Sequence, residues 1–170
     1  MNALSFQTGF EATVAANPHF MRFRSLPIGQ ELGGTEAMLL FSCFIERQVP
    51  AGTVLYEVDT ESDSTIYLIL NGSVEVADRN GHVYELLHAG DVFGLFTFLD
   101  SDRLHSATIT AVDDLTVLAL ERSYFDLVTI EDPALGSQLL RFMFRLLSRQ
   151  ALRLETEYAA MHGYATGRRV

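Results

Sequence analysis

The chain has 170 residues, 48% of them apolar, and a formal net charge of −10. That length gives about one domain with a real core, and the composition excludes a disordered chain. The acidic balance argues against direct binding to nucleic acid or to an anionic membrane, and a single cysteine, Cys43, cannot form an internal disulfide.

Met1 to Gly9 has neither the basic flank nor the apolar block of a secretion signal. No run reaches the ~18 apolar residues of a membrane span. A cytoplasmic protein is therefore expected.

Residues 1–48 read as short helices. Phe10, Val14 and the stretch Thr35 to Ile45 cluster with helical spacing, and Pro18, Pro27 and Gly33-Gly34 break the zone into pieces. Thr35 is the predicted cap of a helix from Glu36 to Phe41.

Residues 49–121 change period. Thr53 to Val58 and Thr65 to Leu70 are rich in β-branched and aromatic residues, and Ser73 to Asp78 alternates strictly. His82 to Leu87, Ser106 to Val112 and Leu115 to Leu120 complete a set of short strands. Asn71-Gly72 and Asn80-Gly81 predict tight hairpins, because both residue types tolerate positive φ. Many short strands at short spacing indicate a sandwich or barrel.

Residues 122–162 return to helix, with Asp132-Pro133 as a start signal, and 163–170 form a short tail. The apolar stripe is wide from Leu139 to Leu147, where Phe142, Met143 and Leu146 are expected to couple helix to sheet. Leu140, Phe144, Leu147, Ala151, Leu154, Tyr158 and Met161 then alternate in steps of four and three, the heptad spacing of a helix that meets a partner helix. Arg141, Arg145, Arg149 and Arg153 form a second line. It is either a face balanced by the chain's own acids or a docking strip for an acidic partner or phosphate.

Helices, a β-roll and a long helix, in that order, carry recognisable motifs. Pro50 to Asp59 (PAGTVLYEVD), Ile66 to Val76 (IYLILNGSVEV), Leu87 to Gly94 (LHAGDVFG) and Ser106 to Ala111 (SATITA) together resemble the cyclic-nucleotide-binding domain family, in particular sensor domains of the CRP/FNR type. The resemblance implies an α+β fold: an antiparallel β-roll (a double-stranded jelly roll) flanked by N-terminal helices and a long C-terminal helix. It places Ile66 to Val76 on a hairpin and a phosphate-binding cassette at Phe93, Gly94, Leu95, Phe96, Thr97, Arg103, His105, Ser106, Ala107 and Thr108.

In that family a Gly admits the cyclic phosphate to a short helix N-terminus. The next residue, a Glu, accepts from the ribose hydroxyl, and an Arg about ten residues on pairs with the phosphate. Here Leu95 follows Gly94, and a leucine accepts no hydrogen bond. A buried hydroxyl left unpaired costs about 1–3 kcal/mol. Counting from Gly94, Arg103 falls one residue short of the family position; counting back from Ala107-Thr108, His105 occupies it. The exit strand favours His105, whose charge depends on pH.

Other chemistry lacks support in the sequence. His19, His82, His88, His105 and His162 have no Glu or Cys at metal-ligand spacing, so no metal is expected. Ser101, Asp102 and His105 are neighbours in one loop, whereas a triad converges from a scaffold. The sequence thus predicts a non-catalytic regulatory module with weakened or lost cyclic-nucleotide binding and a dimerising helix. The alternative is a ligand-free interaction or scaffold subunit in which Leu95, Phe96 and Phe98 fill the old pocket. A cyclic nucleotide is the candidate ligand, and a second copy and another protein are the expected partners.

Overall fold

The computed structural model describes residues 11–100 and 102–165. After a helical stretch over 11–15 come three short helices: α1 (Pro18–Ser25), α2 (Pro27–Gln30) and α3 (Gly34–Ser42). Eight strands follow: β1 (Ile45–Val49), β2 (Val54–Tyr56), β3 (Thr65–Asn71), β4 (Val74–Ala77), β5 (Val83–Leu87), β6 (Val92–Phe93), β7 (Thr108–Ala111) and β8 (Leu115–Glu121). A short helix, α4 (Leu95–Leu99), lies between β6 and β7, and α5 (Arg122–Glu131) and α6 (Pro133–Ala165) close the chain. No helix among the described residues is long and apolar enough to cross a membrane.

The strands form two antiparallel four-stranded sheets, ordered β1-β8-β3-β6 and β2-β7-β4-β5. Side chains alternate across a strand, and β3 uses both faces. Tyr67 and Ile69 enter the core between the sheets with Val76, Phe93, Ile109 and Val117. Ile66, Leu68 and Leu70 face the helices, where they meet Phe23, Leu40, Phe142 and Leu146. This two-sided burial explains the unbroken apolar run of Thr65 to Leu70 in place of a polar alternation.

Three sequence expectations change and one holds. Ile45–Val49, read as the end of the helical zone, is a strand paired along β8 from Ile45↔Ala119 to Val49↔Leu115. Its Glu-Arg-Gln centre gave no apolar signal, because β1 is an edge strand with most of its surface exposed. The first helix of that cluster starts at Gly34, with Gly33 as its cap, and Glu36 reaches back to the Gly33 amide (3.4 Å). Asn80-Gly81 does join two paired strands, β4 and β5. Asn71-Gly72 does not make a hairpin, because β3 and β4 lie in different sheets.

Asn71-Gly72 is instead a corner, stacked against the second corner at Asp113-Asp114. Gly72 has φ +83°, and a Cβ there would sit 2.8 Å from the Asp114 carbonyl oxygen. The Val112 amide donates to the Ser73 carbonyl (3.0 Å), and the Ser73 hydroxyl to Asp113 (2.6 Å).

Asp132 caps α6 by accepting from the Leu135 amide (3.0 Å). The helix has 33 residues, about 50 Å at 1.5 Å per residue. Leu139, Phe142, Met143 and Leu146 are buried. Three arginines of the line, Arg145, Arg149 and Arg153, face the chain's own acids, as the balanced-face reading expects, while Arg141 is exposed. Arg145 pairs with Glu36 (3.4 Å), Arg149 with Glu31 (2.6 Å), and Arg153 with Glu85 and with Asp91 (3.2 Å). Helix α6 is thereby tied to the N-terminal helices and to β5.

Phe142 meets Phe23 and Phe44 edge-on, at centroid distances of 6.3 and 6.0 Å, and is fully buried. Phe142→Ala is expected to cost about 3–5 kcal/mol in urea unfolding, the range for a buried aromatic removed from a packed core.

Candidate functional site

The cassette region starts where β6 ends. Gly94 is left-handed (φ 78°, ψ 0°), and a Cβ on it would run into the Thr65 carbonyl oxygen of β3. Only glycine allows that approach. The chain then turns into α4. Leu95 and Phe98 bury into the helical core, and the Thr97 hydroxyl donates back to the Gly94 carbonyl (3.1 Å).

A cavity of about 110 Å³, open on one side, lies beside this turn. Of the cassette residues expected from the sequence, Phe93, Gly94, Leu95, Phe96, Thr97, His105, Ser106 and Ala107 line it. Arg103 and Thr108 do not. Arg103 is exposed on the loop, and the Thr108 hydroxyl accepts from the Val58 amide (3.1 Å).

Backbone pairing explains why position 105 turns inward. The His105 amide donates to the Thr60 carbonyl (3.0 Å), and the Asp59 amide donates to the His105 carbonyl (2.8 Å). These bonds clamp the loop against the segment after β2. The His105 ring then stacks on Tyr56 at 3.7 Å and 8° and is only 3% exposed. Burial lowers its pKa below 6.5, against the opposing pull of Asp63.

Tyr56 is the group that sequence reasoning passed over. Its phenol pKa is raised, by burial first and by Tyr67 next, while a hydrogen bond from the Gly94 amide opposes the shift. Phe96 and Phe98 do not fill the pocket as the scaffold reading supposed: Phe96 is 47% exposed at the rim, and Phe98 packs on Phe125 at 5.5 Å.

Tyr84 and Glu85 of β5 and Gln150 of α6 also line the cavity. They come from distant elements, and no local motif marks them. Among the described residues, Glu85 is the one formally charged residue in the lining, and no Lys or Arg joins it. Its pKa is raised, mainly by burial, although Arg153 beside it pulls the other way. A phosphate in this cavity would meet a carboxylate and a neutral imidazole. Like charges about 4 Å apart repel by roughly 4 kcal/mol at an effective dielectric of 20.

The Ser-Asp-His reading gains no geometry, because Ser101 lies outside the described residues and His105 stacks on Tyr56. Among the described residues, no three His, Cys, Asp or Glu side chains gather as a metal site.

Because the folded state holds His105 neutral, the unfolded chain binds its proton more readily. The corresponding stability is complete above pH 6.5 and declines as the pH falls below it. His105→Phe keeps a ring against Tyr56 and removes the titration. Urea unfolding at pH 7, 6 and 5 should therefore show a shallower loss in the variant, the difference being at most about 1.4 kcal/mol per pH unit.

Comparison with known proteins agrees with this architecture. Residues 46–130, half of the chain, match the family model of the cyclic nucleotide-binding domain. The chain is similar to human Rap guanine nucleotide exchange factor 6, 42% identical over 64 residues, which is 38% of this chain and 4% of that protein. It is also similar to lysophospholipase NTE1 of Mycosarcoma maydis, 27% identical over 118 residues, 68% of this chain and 6% of that one. The chain thus spans only 4% and 6% of the length of these two relatives. A cyclic nucleotide-binding domain from Methylobacillus flagellatus superposes with a TM-score of 0.70 over 86% of this chain and 84% of its own, at 21% identity, and so shares its fold. The chain belongs to the cyclic nucleotide-binding domain family, typically a family of regulatory sensor domains rather than enzymes.

Proposed function

We propose that this domain is a non-catalytic regulatory module that has given up tight cyclic-nucleotide binding and dimerises through α6. The observation that carries the first half is the lining of the cavity. His105 holds the place of a phosphate-pairing arginine, and among the described residues no basic side chain lines the cavity in its stead. The volume of about 110 Å³ also falls below the ~300 Å³ at which drug-sized ligand pockets begin.

The second half rests on the heptad line. Phe144, Leu154, Tyr158 and Met161 are 65%, 50%, 67% and 64% exposed, and Leu140 is 42% exposed. Leu147 packs partly on the core, and Ala151 is exposed. Beyond Gln150 no described side chain of α6 is buried. A stripe of that spacing suits a second copy of the same helix. A protein partner on the rest of the surface and a cytoplasmic location belong to the same proposal, as does the absence of catalysis.

Two measurements test it. Millimolar cyclic AMP, cyclic GMP or cyclic dinucleotide should leave the melting temperature unchanged. A ligand at 100 times its dissociation constant would add about 2.7 kcal/mol and raise it by several degrees, which would restore the sensor reading. In sedimentation equilibrium the wild type should run as a dimer and Phe144→Glu/Leu154→Glu as a monomer. A monomeric wild type would remove the dimer.

A further inference from the structure

The cavity beside Gly94 is rich in hydrogen-bond acceptors and poor in positive charge. Among the described residues Glu85 is the only charged side chain in its lining, and Tyr84, Ser106 and Gln150 bring further oxygens. The buried Oε1 of Gln150 has no hydrogen-bond partner among the described residues, which is a costly state for a buried acceptor. The Arg153 guanidinium bonds to Glu85 and is shared with Asp91 (3.2 Å) and Glu157 (3.7 Å), so three carboxylates surround one cation. This side of the opening keeps a negative excess. His105, on the wall, adds no positive charge at neutral pH, because burial lowers its pKa.

A ligand that suits this lining carries positive charge and many N–H donors. We propose that the cavity binds a guanidinium group, of the kind at the tip of an arginine side chain. A guanidinium is planar, always charged, and presents five N–H donors and no acceptor. Glu85 and the orphaned Oε1 of Gln150 give those donors a charged and a neutral acceptor in one cavity. A cation without N–H groups would leave both unpaired. A primary ammonium gathers its three donors at one point, whereas the guanidinium spreads its donors across a plane. The size agrees. A guanidinium has four heavy atoms to benzene's six, and about 110 Å³ stands in nearly that proportion to the ~150 Å³ cavity that takes benzene. The open side lets an aliphatic stem leave past the rim rings of Tyr84 and Phe96, which are 61% and 47% exposed. Recognition uses the polar lining, and needs neither the Tyr56 face that His105 covers nor the Phe93 face that Tyr67 covers. The proposal rests on the reading that the cassette no longer takes a cyclic phosphate.

Calorimetric titration of the whole chain at neutral pH and constant ionic strength tests it. The titrants are N-acetyl-arginine N-methylamide, the matching citrulline and lysine compounds, methylguanidinium and cyclic AMP. Citrulline keeps the planar head without the charge, and lysine keeps the charge without the plane. The arginine compound should bind, and the other two should bind about tenfold more weakly or not at all. Methylguanidinium separates the sources of the group. Tighter binding of the arginine compound assigns it to a polypeptide side chain, and tighter binding of methylguanidinium to a free small molecule. Glu85→Gln and Gln150→Leu should each weaken guanidinium binding by about tenfold. Glu131→Gln, which removes an exposed acid outside the cavity, should leave it unchanged. Melting curves of each variant separate lost binding from lost folding. No heat with either guanidinium titrant, equal binding of the citrulline or lysine compound, or indifference to Glu85→Gln would overturn the proposal. A loss in Glu131→Gln as large as that in Glu85→Gln would also overturn it, by reducing the effect to general attraction by an acidic surface. Silence of the guanidinium titrants and of cyclic AMP together defeats the guanidinium site alone. Heat with cyclic AMP would instead defeat the reading beneath it.

Discussion

The two-sided burial of β3 is the constraint on which the rest of the molecule depends. One face of the strand builds the core between the sheets and the other seats the helices. The same strand positions the cassette, because Gly94 lies against the Thr65 carbonyl. From β3 a series of rings leads to the cavity: Tyr67 stacks on Phe93 (4.9 Å, 13°), Phe93 lies 6.1 Å from Tyr56, and Tyr56 stacks on His105. The packing that makes the roll thus also presets the aromatic character of the site.

Charge then decides what the fold can do. A family site for a cyclic phosphate needs a cation, and among the described residues the lining here supplies an acid instead. Burying an anion without a partner is costly. On the proposed reading, function shifts from the cassette chemistry towards the long helix. Arg145 and Arg149 fasten it to the N-terminal helices and Arg153 fastens it to the roll, and beyond Gln150 its apolar side chains are exposed. Gln150 stands where these parts meet, lining the cavity from the helix. A ligand in the cavity and a partner on the helix would then act on one rigid element. Coupling between them requires that the ligand favour one arrangement of that helix over another.

The order of elements was legible because hydrophobic period changes twice along the chain, at the start of the roll and at Asp132-Pro133. Two strands escaped notice for physical reasons. Edge strand β1 has a polar centre, and β6 has only two residues. Asn71-Gly72 was misread because positive φ serves a corner between sheets as well as a hairpin. At the site, the Glu-to-Leu departure at residue 95 was visible as soon as the motif was aligned. The exit strand favoured His105 over Arg103, while the backbone bonds from His105 to Thr60 and Asp59 that turn it inward come from residues far away in sequence. Tyr56, Glu85 and Gln150 were illegible for the same reason: three separate elements bring them together, and none carries a local signature.

The central claim is that the missing cation at position 105 governs the loss of nucleotide binding. Calorimetric titration of cyclic AMP into His105→Arg, beside the wild type, tests it most directly. The account predicts that the variant gains at least about tenfold in affinity over the wild type, the scale of one charge-assisted contact to phosphate. Wild-type protein that takes up cyclic AMP as tightly as the variant would contradict it.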